Sequence, residues 1–384
     1  MSELSNSTRY ILVTGSDGLL GWHTRVFLST EPAVTVIPCN RQQFADDEYL
    51  HDALSRAHAV IHLAGVNRGT DDDIRTNVDI ADRLIAACEK TDSRPHVLYS
   101  NTTHCDRDSV YGKSKQAVAD HLASWAERED ARFCNFVLPH IFGEHGQPMY
   151  NSVTSTFCHQ IANGHEPTLT GDGDLELLHA QEAVQAFWSA IQEGLVGTAR
   201  PNGVPMKVSE LLARIQSLAE RYESGVTPNL DDPFDLRLFN TYRSYIPHEQ
   251  RPKDLQVWAD ERGDLFEAIR ADGQGQVFLS TTKPGITRGE HFHFNKVERF
   301  LVVQGQAKIR VRRVLHDDLH VFDVRGDAPQ AIDIPTLHTH NITNVGDTTL
   351  LTLFWAGEHF DRENPDTFAC LVEPGQSIEV STQA

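Results

Sequence analysis

The sequence predicts two folds in series, a doubly wound parallel α/β sheet followed by an all-β barrel, and three observations carry that prediction. Up to about residue 187, short apolar runs alternate with amphipathic helical stretches. After about residue 245 the texture changes to short β-rich runs between Gly, Asp and Pro turns. At 384 residues the chain is too long for one small core, so two domains are expected, at 1–240 and 245–384.

Taken in order, the runs at 10–13, 34–37, 59–63, 96–99 and 133–138 read as strands. Each is followed by a helical pattern rather than a hairpin signal, which makes the sheet parallel. Helix-like segments continue over 188–230 and end in a Pro-, Asp- and Asn-rich stretch at 226–233 that marks a turn or boundary. The runs at 276–280, 299–303, 307–311 and 349–355 then read as strands of the barrel.

Composition narrows the class. Hydrophobic content of 40% and charged content of 23% are those of an ordinary globular protein. No stretch approaches the roughly 20 apolar residues that span a bilayer, and MSELSNSTRY lacks the basic end and apolar centre of a signal peptide. A cytoplasmic protein without a membrane partner is expected. The six cysteines show no paired spacing, which fits reduced thiols. A formal charge of -20 argues against nucleic acid as partner, so any phosphate must be bound by a local site.

Such a site follows the first strand. Thr14-Gly15-Ser16-Asp17-Gly18-Leu19-Leu20-Gly21 places Gly15, Gly18 and Gly21 at a strand-to-helix turn, where glycines permit a tight turn, close approach of backbone to pyrophosphate, and helix-on-sheet packing. About 20 residues on, where an acidic residue would bind a ribose 2′-hydroxyl, stands Pro38-Cys39-Asn40-Arg41. A guanidinium there suits a 2′-phosphate and favours NADPH, although Arg41 also reads as a solvated surface residue. In His62-Leu63-Ala64-Gly65 the small residues, Ala64 among them, would let a cofactor lie against the sheet edge; a simple strand terminus explains them almost as well. Tyr111-Gly112-Lys113-Ser114-Lys115 sets a phenol and an ammonium one helical turn apart, so that Lys115 could favour the Tyr111 phenolate and hold a ribose. Upstream, Ser100 or Thr102 could hydrogen-bond the same substrate oxygen.

Over residues 9–225 these motifs resemble the extended short-chain dehydrogenase/reductase family, whose members act largely on nucleotide sugars. The resemblance implies a Rossmann-type domain with Tyr111, Lys115 and Thr102 as the catalytic set, Ser100 beside them, and Asn77 as a structural or active-site residue. Where the family often carries Arg-x-Pro-Asn, this chain has Val137-Leu138-Pro139-His140.

The second signal is Gly285-x5-His291-Phe292-His293-x4-Glu298-x6-Gly305, followed by Pro335-Thr336-Leu337-His338-Thr339-His340. Two histidines two apart share one face of a strand, and Glu298 can return from the next strand to complete a metal site, with a further imidazole downstream. The arrangement resembles the two cupin motifs, with His291, His293, Glu298 and His340 at the ligand positions and Leu337 in place of the expected glycine. Imidazole and carboxylate ligands suit Zn, Fe, Mn or Ni, with zinc favoured. His338 reads either as a general base facing the barrel interior or as a histidine at the strand mouth.

The order reductase then cupin, with Lys283-Pro284-Gly285-Ile286-Thr287, 296–303 and Pro148-Met149-Tyr150-Asn151-Ser152-Val153, looks like the CapF family of capsular polysaccharide enzymes over nearly the whole chain. That resemblance implies a bifunctional UDP-2-acetamido-2,6-dideoxy-β-L-talose synthase acting on a UDP-sugar. The cupin would epimerise C3 of a 4-keto sugar and the reductase would then reduce C4. A homodimer is expected. A reductase with a structural cupin, and a redox-sensing NADPH-binding protein, are the other readings the motifs leave open.

Overall fold

The computed structural model describes residues 8–373. They form two compact units: one holds the chain up to Thr156 together with Leu169–Leu211, the other Phe157–Thr168 and the chain from Leu212 onward.

The first unit runs β1 (Arg9–Thr14), α1 (Leu19–Leu28), β2 (Val34–Cys39), α2 (Arg41–Ala45), α3 (Asp47–Arg56), β3 (Ala59–His62), α4 (Asp71–Lys90), β4 (His96–Thr102), α5 (Val110–Glu129), β5 (Phe133–Leu138), β6 (His140–Phe142), the start of α6 (Val153–Ala162), β7 (Asp174–His179), α7 (Ala180–Glu193), β8 (Gly197–Ala199), β9 (Val204–Lys207) and the first turn of α8 (Val208–Glu223). Six strands pair in the order β2-β1-β3-β4-β5-β8, every pair parallel. The apolar runs are continuous because both faces are covered. Leu12, Val60, Val97 and Tyr99 meet Leu50, Leu84, Leu122 and Trp125 on one side. Ile11, Val13, Ile61 and Leu98 meet Leu28, Phe187 and Trp188 on the other. From β1 the chain steps outward to β2, then crosses back to β3 on the opposite flank of β1. The carboxyl ends of β1 and β3 therefore bound the crevice where such sheets bind ligands. β8 and β9 interrupt the stretch that reads as helical in sequence, since strands of three and four residues carry no measurable period.

In the second unit the rest of α8 and α9 (Pro233–Arg243) precede β10 (Pro252–Asp254), β11 (Val257–Asp260), β12 (Gly263–Phe266), β13 (Gln276–Thr282), β14 (Thr287–Phe292), β15 (Glu298–Gln304), β16 (Gln306–Arg313), β17 (Leu319–Arg325), β18 (Gln330–Ile334), β19 (His338–Asn344), β20 (Leu350–Ala356) and β21 (Phe368–Ala369). Two antiparallel five-stranded sheets, β10-β18-β15-β20-β13 and β17-β16-β19-β14-β21, make a cupin-like β domain. Phe300, Val302, Ile309, Val311, Ile332, Ile342 and Leu350 form one buried cluster within it.

The division lies near 211, earlier than the boundary near 240 that the sequence suggests. The reason is a buried polar anchor. Arg299 clasps Asp333 through two hydrogen bonds of 2.6 and 2.8 Å, and the Tyr222 hydroxyl of α8 donates to the same carboxylate at 2.5 Å. Arg243 of α9 donates to the Ile334 carbonyl at 2.7 Å. A buried charge pair needs its remaining valences filled, and these helices fill them. Among the described residues no helix is long and apolar enough to cross a membrane.

Candidate active sites

A cleft of about 620 Å³ opens at the carboxyl ends of the parallel strands. Its floor is the glycine turn. Gly15 sits at φ +66, and a Cβ there would lie 2.9 Å from the Ala64 nitrogen. A Cβ on Gly21 would lie 2.2 Å from the Gly15 carbonyl oxygen, so α1 reaches the sheet only because that atom is missing. Gly18 caps α1 with no side-chain hydrogen bond. A Cβ there would meet only the Gly15 oxygen at 3.4 Å, so its bareness serves the cleft, where the first N–H groups of α1 stay open to an anion. Thr14 Oγ1 accepts from the nitrogens of Leu63 and Ala64 at 3.2 and 3.3 Å and is hydrogen-bonded to His62 Nδ1 at 2.8 Å. The Ala64 amide is thus committed to the protein, and Leu63, Gly65, Val66 and Asn67 line the cleft in its place. Arg41 lies exposed as the first residue of α2, directly beyond the end of β2.

Tyr111 and Lys115 both line the cleft. Lys115 Nζ donates to the Ser100 carbonyl at 2.6 Å and lies 4.2 Å from the centre of the Tyr99 ring. Burial pushes its pKa down to about 7 and pushes that of Tyr111 up. This corrects the expectation of a phenolate favoured by Lys115: desolvation dominates, and the phenol stays a proton donor. The hydroxyls expected to meet substrate are engaged locally. Ser100 donates to the His62 carbonyl at 3.4 Å, and Thr102 accepts from the His104 nitrogen at 3.2 Å, capping the 3-10 turn Thr103–Asp106. Both residues remain on the cleft wall. Asn77 holds the loop after β3, accepting from the Val66 nitrogen at 2.6 Å and donating to the Val66 carbonyl at 2.8 Å and to Ser114 at 3.3 Å.

Two features have no signal in the sequence. His104 stands edge-on to Tyr111, ring centres 6.5 Å apart, and to His140 at 5.3 Å. Burial and the neighbouring Arg107 lower both imidazole pKa values, so the pair is neutral near pH 7. His140 thus lines the same cleft as Tyr111, with the His104 ring in contact with both. Gly112 explains how α5 starts so close to this wall, since a Cβ there would lie 2.4 Å from the His104 carbonyl oxygen.

In the second unit His291, His293, Glu298 and His340 bring one ligand atom each to within 4.8 Å of one another. A bulge between Gly289 and His291, with Glu290 at φ +62, turns His291 toward its partners. His293 follows just after β14 ends, and Glu298 opens β15. His293 Nε2 is 2.9 Å from Glu298 Oε2, and His340 Nε2 is 3.4 Å from the same oxygen. The outer nitrogens are spent on carbonyls: His293 Nδ1 on Asp366 at 2.5 Å and His340 Nδ1 on His338 at 3.3 Å. That fixes the tautomers so that Nε2 lone pairs face inward. The buried His340 Nε2 has no hydrogen-bond partner, which a cation at the centre would supply. Four such donors, nearly dry, suit a divalent first-row metal.

Leu337 takes the left-handed turn expected of glycine, φ +58. Full burial, a 2.8 Å bond to the His293 carbonyl and a 3.0 Å bond from Val314 offset the strain. His338 is buried and donates through Nδ1 to the Thr336 carbonyl at 2.8 Å. Burial, with Arg251, Arg313 and His248, holds its pKa well below that of free imidazole, which makes it a weaker base than its place in the sequence suggests. A further trio, His248, Asp318 and His320, has metal-like spacing. However, His248 Nδ1 accepts from Arg251 at 3.2 Å, and a buried guanidinium at that point disfavours a cation.

Residues 11–199 match the NAD dependent epimerase/dehydratase family, and residues 258–368 match the polysaccharide biosynthesis C-terminal domain. The UDP-2-acetamido-2,6-beta-L-arabino-hexul-4-ose reductase of Pseudomonas aeruginosa is 29% identical over 372 residues, 95% of this chain and 99% of that one. The crystal structure of capsular polysaccharide assembling protein CapF from Staphylococcus aureus is 32% identical, with a TM-score of 0.60 over 94% of this chain and 99% of that one. The structure of RMD from Pseudomonas aeruginosa, complexed with NADPH, shares the fold alone, at 20% identity and a TM-score of 0.50 over 56% of this chain and 84% of that one.

Proposed function

Because the chain belongs to the family of the capsular polysaccharide assembling protein CapF, we propose that it is a bifunctional nucleotide-sugar oxidoreductase. The second unit epimerises C3 of a UDP-2-acetamido-2,6-dideoxy-4-hexulose, and the first reduces C4 with NADPH to give UDP-2-acetamido-2,6-dideoxy-β-L-talose. The observation that carries this reading is the presence of two complete and different constellations in one chain: a glycine-floored cleft holding Tyr111 and Lys115, and a buried His291–His293–Glu298–His340 quartet. The reductase relative, matched over nearly its whole length, supports the same substrate class.

In the cleft, Gly15, Gly18 and Gly21 would seat a pyrophosphate, and Arg41, exposed beyond β2, would meet a 2′-phosphate, which favours NADPH. Bound nicotinamide would supply the hydride. Tyr111, kept protonated by burial, gives its proton to the C4 oxygen. Lys115, held on the Ser100 carbonyl, is placed to orient the ribose, and Thr102 and Ser100 border the sugar. In the second unit the four side chains would hold a divalent ion, with zinc favoured, whose Lewis acidity would lower the cost of passing the C3 proton beside the C4 ketone to a base, for which His338 is the candidate, before a proton returns to C3 on the opposite face. The epimerised 4-ketone is then the hydride acceptor.

A second copy of the chain is the partner we infer, because β13 is a sheet edge that exposes Val277 and Leu279. The six cysteines are all free, which suits the reducing cytoplasm. The experiment is incubation of the full chain with the UDP-4-keto sugar and NADPH, with the product identified by NMR. Formation of the 6-deoxy-talo sugar supports the reading; reduction without inversion at C3 would leave a reductase with a structural cupin.

A further inference from the structure

We propose that Arg68 is a positioning residue that ties the substrate-side rim of the cleft to its cofactor-side wall and so sets affinity for the sugar nucleotide. The inference rests on the reading of the cleft given above. Arg68 directly follows Gly65, Val66 and Asn67, which line the cleft. This loop has a firm base, because Asn77 binds both the nitrogen and the carbonyl of Val66.

The opposite rim is anchored to α6 at Met149, whose nitrogen donates to Thr156 Oγ1 at 3.0 Å, and the Tyr150 that follows it is the part Arg68 holds. Between the end of β6 and the start of α6 the chain is irregular, with left-handed backbone at His145 (φ +60) and Met149 (φ +57). Met149 is 65% exposed and Tyr150 40% exposed, so apolar burial does not fix the rim. Yet Tyr150, Asn151 and Ser152 line the cleft. Arg68 spans the gap. Its Nη1 donates to the Met149 carbonyl at 3.2 Å and also to the Tyr150 carbonyl, while its guanidinium carbon lies 6.0 Å from the centre of the Tyr150 ring.

Charge-assisted bonds to carbonyls and a cation–π contact are strong enough to order an exposed segment. In a chain of net charge -20, with Asp71, Asp72 and Asp73 only a few residues away, Arg68 forms no ion pair with a carboxylate among the described residues. Its charge is committed to the rim instead. Because Arg68 acts on the wall facing the sugar and not on the glycine floor, its loss should weaken sugar binding and leave cofactor binding alone.

The test uses the full-length protein, NADPH and the UDP-4-keto sugar. Arg68→Ala should raise KM for the sugar by about tenfold, with kcat and the NADPH dissociation constant changed less than about threefold. Arg68→Lys should recover part of the loss, since an ammonium can still donate to the two carbonyls. Tyr150→Ala should raise KM similarly, and Arg68→Ala should add nothing on top of it, because the tie acts through Tyr150. An unchanged KM, additive effects of the two substitutions, or NADPH affinity falling in step with KM would overturn the proposal. Chymotryptic cleavage after Tyr150 provides a readout independent of turnover. Arg68→Ala should speed it at least several-fold, with cleavage elsewhere unchanged; an unaltered rate would overturn the tie even if the unsubstituted protein failed to process the sugar, a result that would instead refute the proposed reaction.

Discussion

The cleft of the first unit is floored by backbone and walled by residues from many separate loops, whereas the pocket of the second is four side chains converging within 4.8 Å. The first is an open cleft of about 620 Å³ whose proposed hydride and carbonyl would come from bound ligands. The second holds nearly all its chemistry in place, with tautomers fixed by outer hydrogen bonds and one inner nitrogen unsatisfied. One consequence is a difference in tolerance. Substitutions in the cleft should act through space and orientation and divide cleanly between cofactor and sugar, while a change to any member of the quartet should weaken metal binding as a whole, because each side chain fills one position of a single site.

Four substitutions can break or sharpen this contrast. Tyr111→Phe removes only the proton donor, so NADPH oxidation should fall by about 10³-fold while NADPH binding stays within about twofold; steady-state rates and fluorescence titration read the two. His340→Ala should reduce metal content to well under one equivalent and lower any C3 proton exchange by at least about 100-fold, measured by elemental analysis and NMR, with NADPH affinity untouched. Gly21→Ala drives a Cβ into the Gly15 carbonyl and should weaken NADPH binding by about 100-fold, an overpacking cost of about 3 kcal/mol, without altering metal content. Smallest is Arg41→Asp, expected to narrow or reverse the NADPH over NADH preference by about tenfold in kcat/KM, because Arg41 is solvent-exposed and its pairing with a phosphate is partly screened.

The same contrast explains what could be read from the sequence. Strands such as Ile11–Val13 and Val97–Tyr99 were legible because covering both faces of a sheet demands unbroken apolar runs, and the quartet was legible because ligand chemistry restricts residue type at each position. The cleft wall was not. His104 enters through a four-residue 3-10 turn with no period, and its pairing with His140 depends on how the turn after β4 and the start of β6, far apart in sequence, come side by side. Gly112 looks like any helical glycine until the His104 carbonyl is seen against it. The division near 211 was hidden for a related reason: α8 has the amphipathic pattern of its predecessors, and its ties to the second unit, Tyr222 to Asp333 and Arg221 to Asp272, join residues far apart in sequence. His338 lies two residues from His340, so spacing made it look like a base; its surroundings of buried cations are contributed by distant segments.

The central claim is that the two units perform separable chemistry, and C3 proton exchange tests it most directly. The full-length protein, the Tyr111→Phe variant and a variant with His291→Ala and His293→Ala are each incubated with the UDP-4-keto sugar in deuterated water without nicotinamide, and deuterium at C3 is followed by NMR. The account predicts exchange at comparable rates in the unsubstituted protein and in Tyr111→Phe, and loss of exchange together with metal in the double variant. Exchange that required NADPH, or that persisted at full rate after the metal was lost, would contradict it and leave the second unit without a catalytic role.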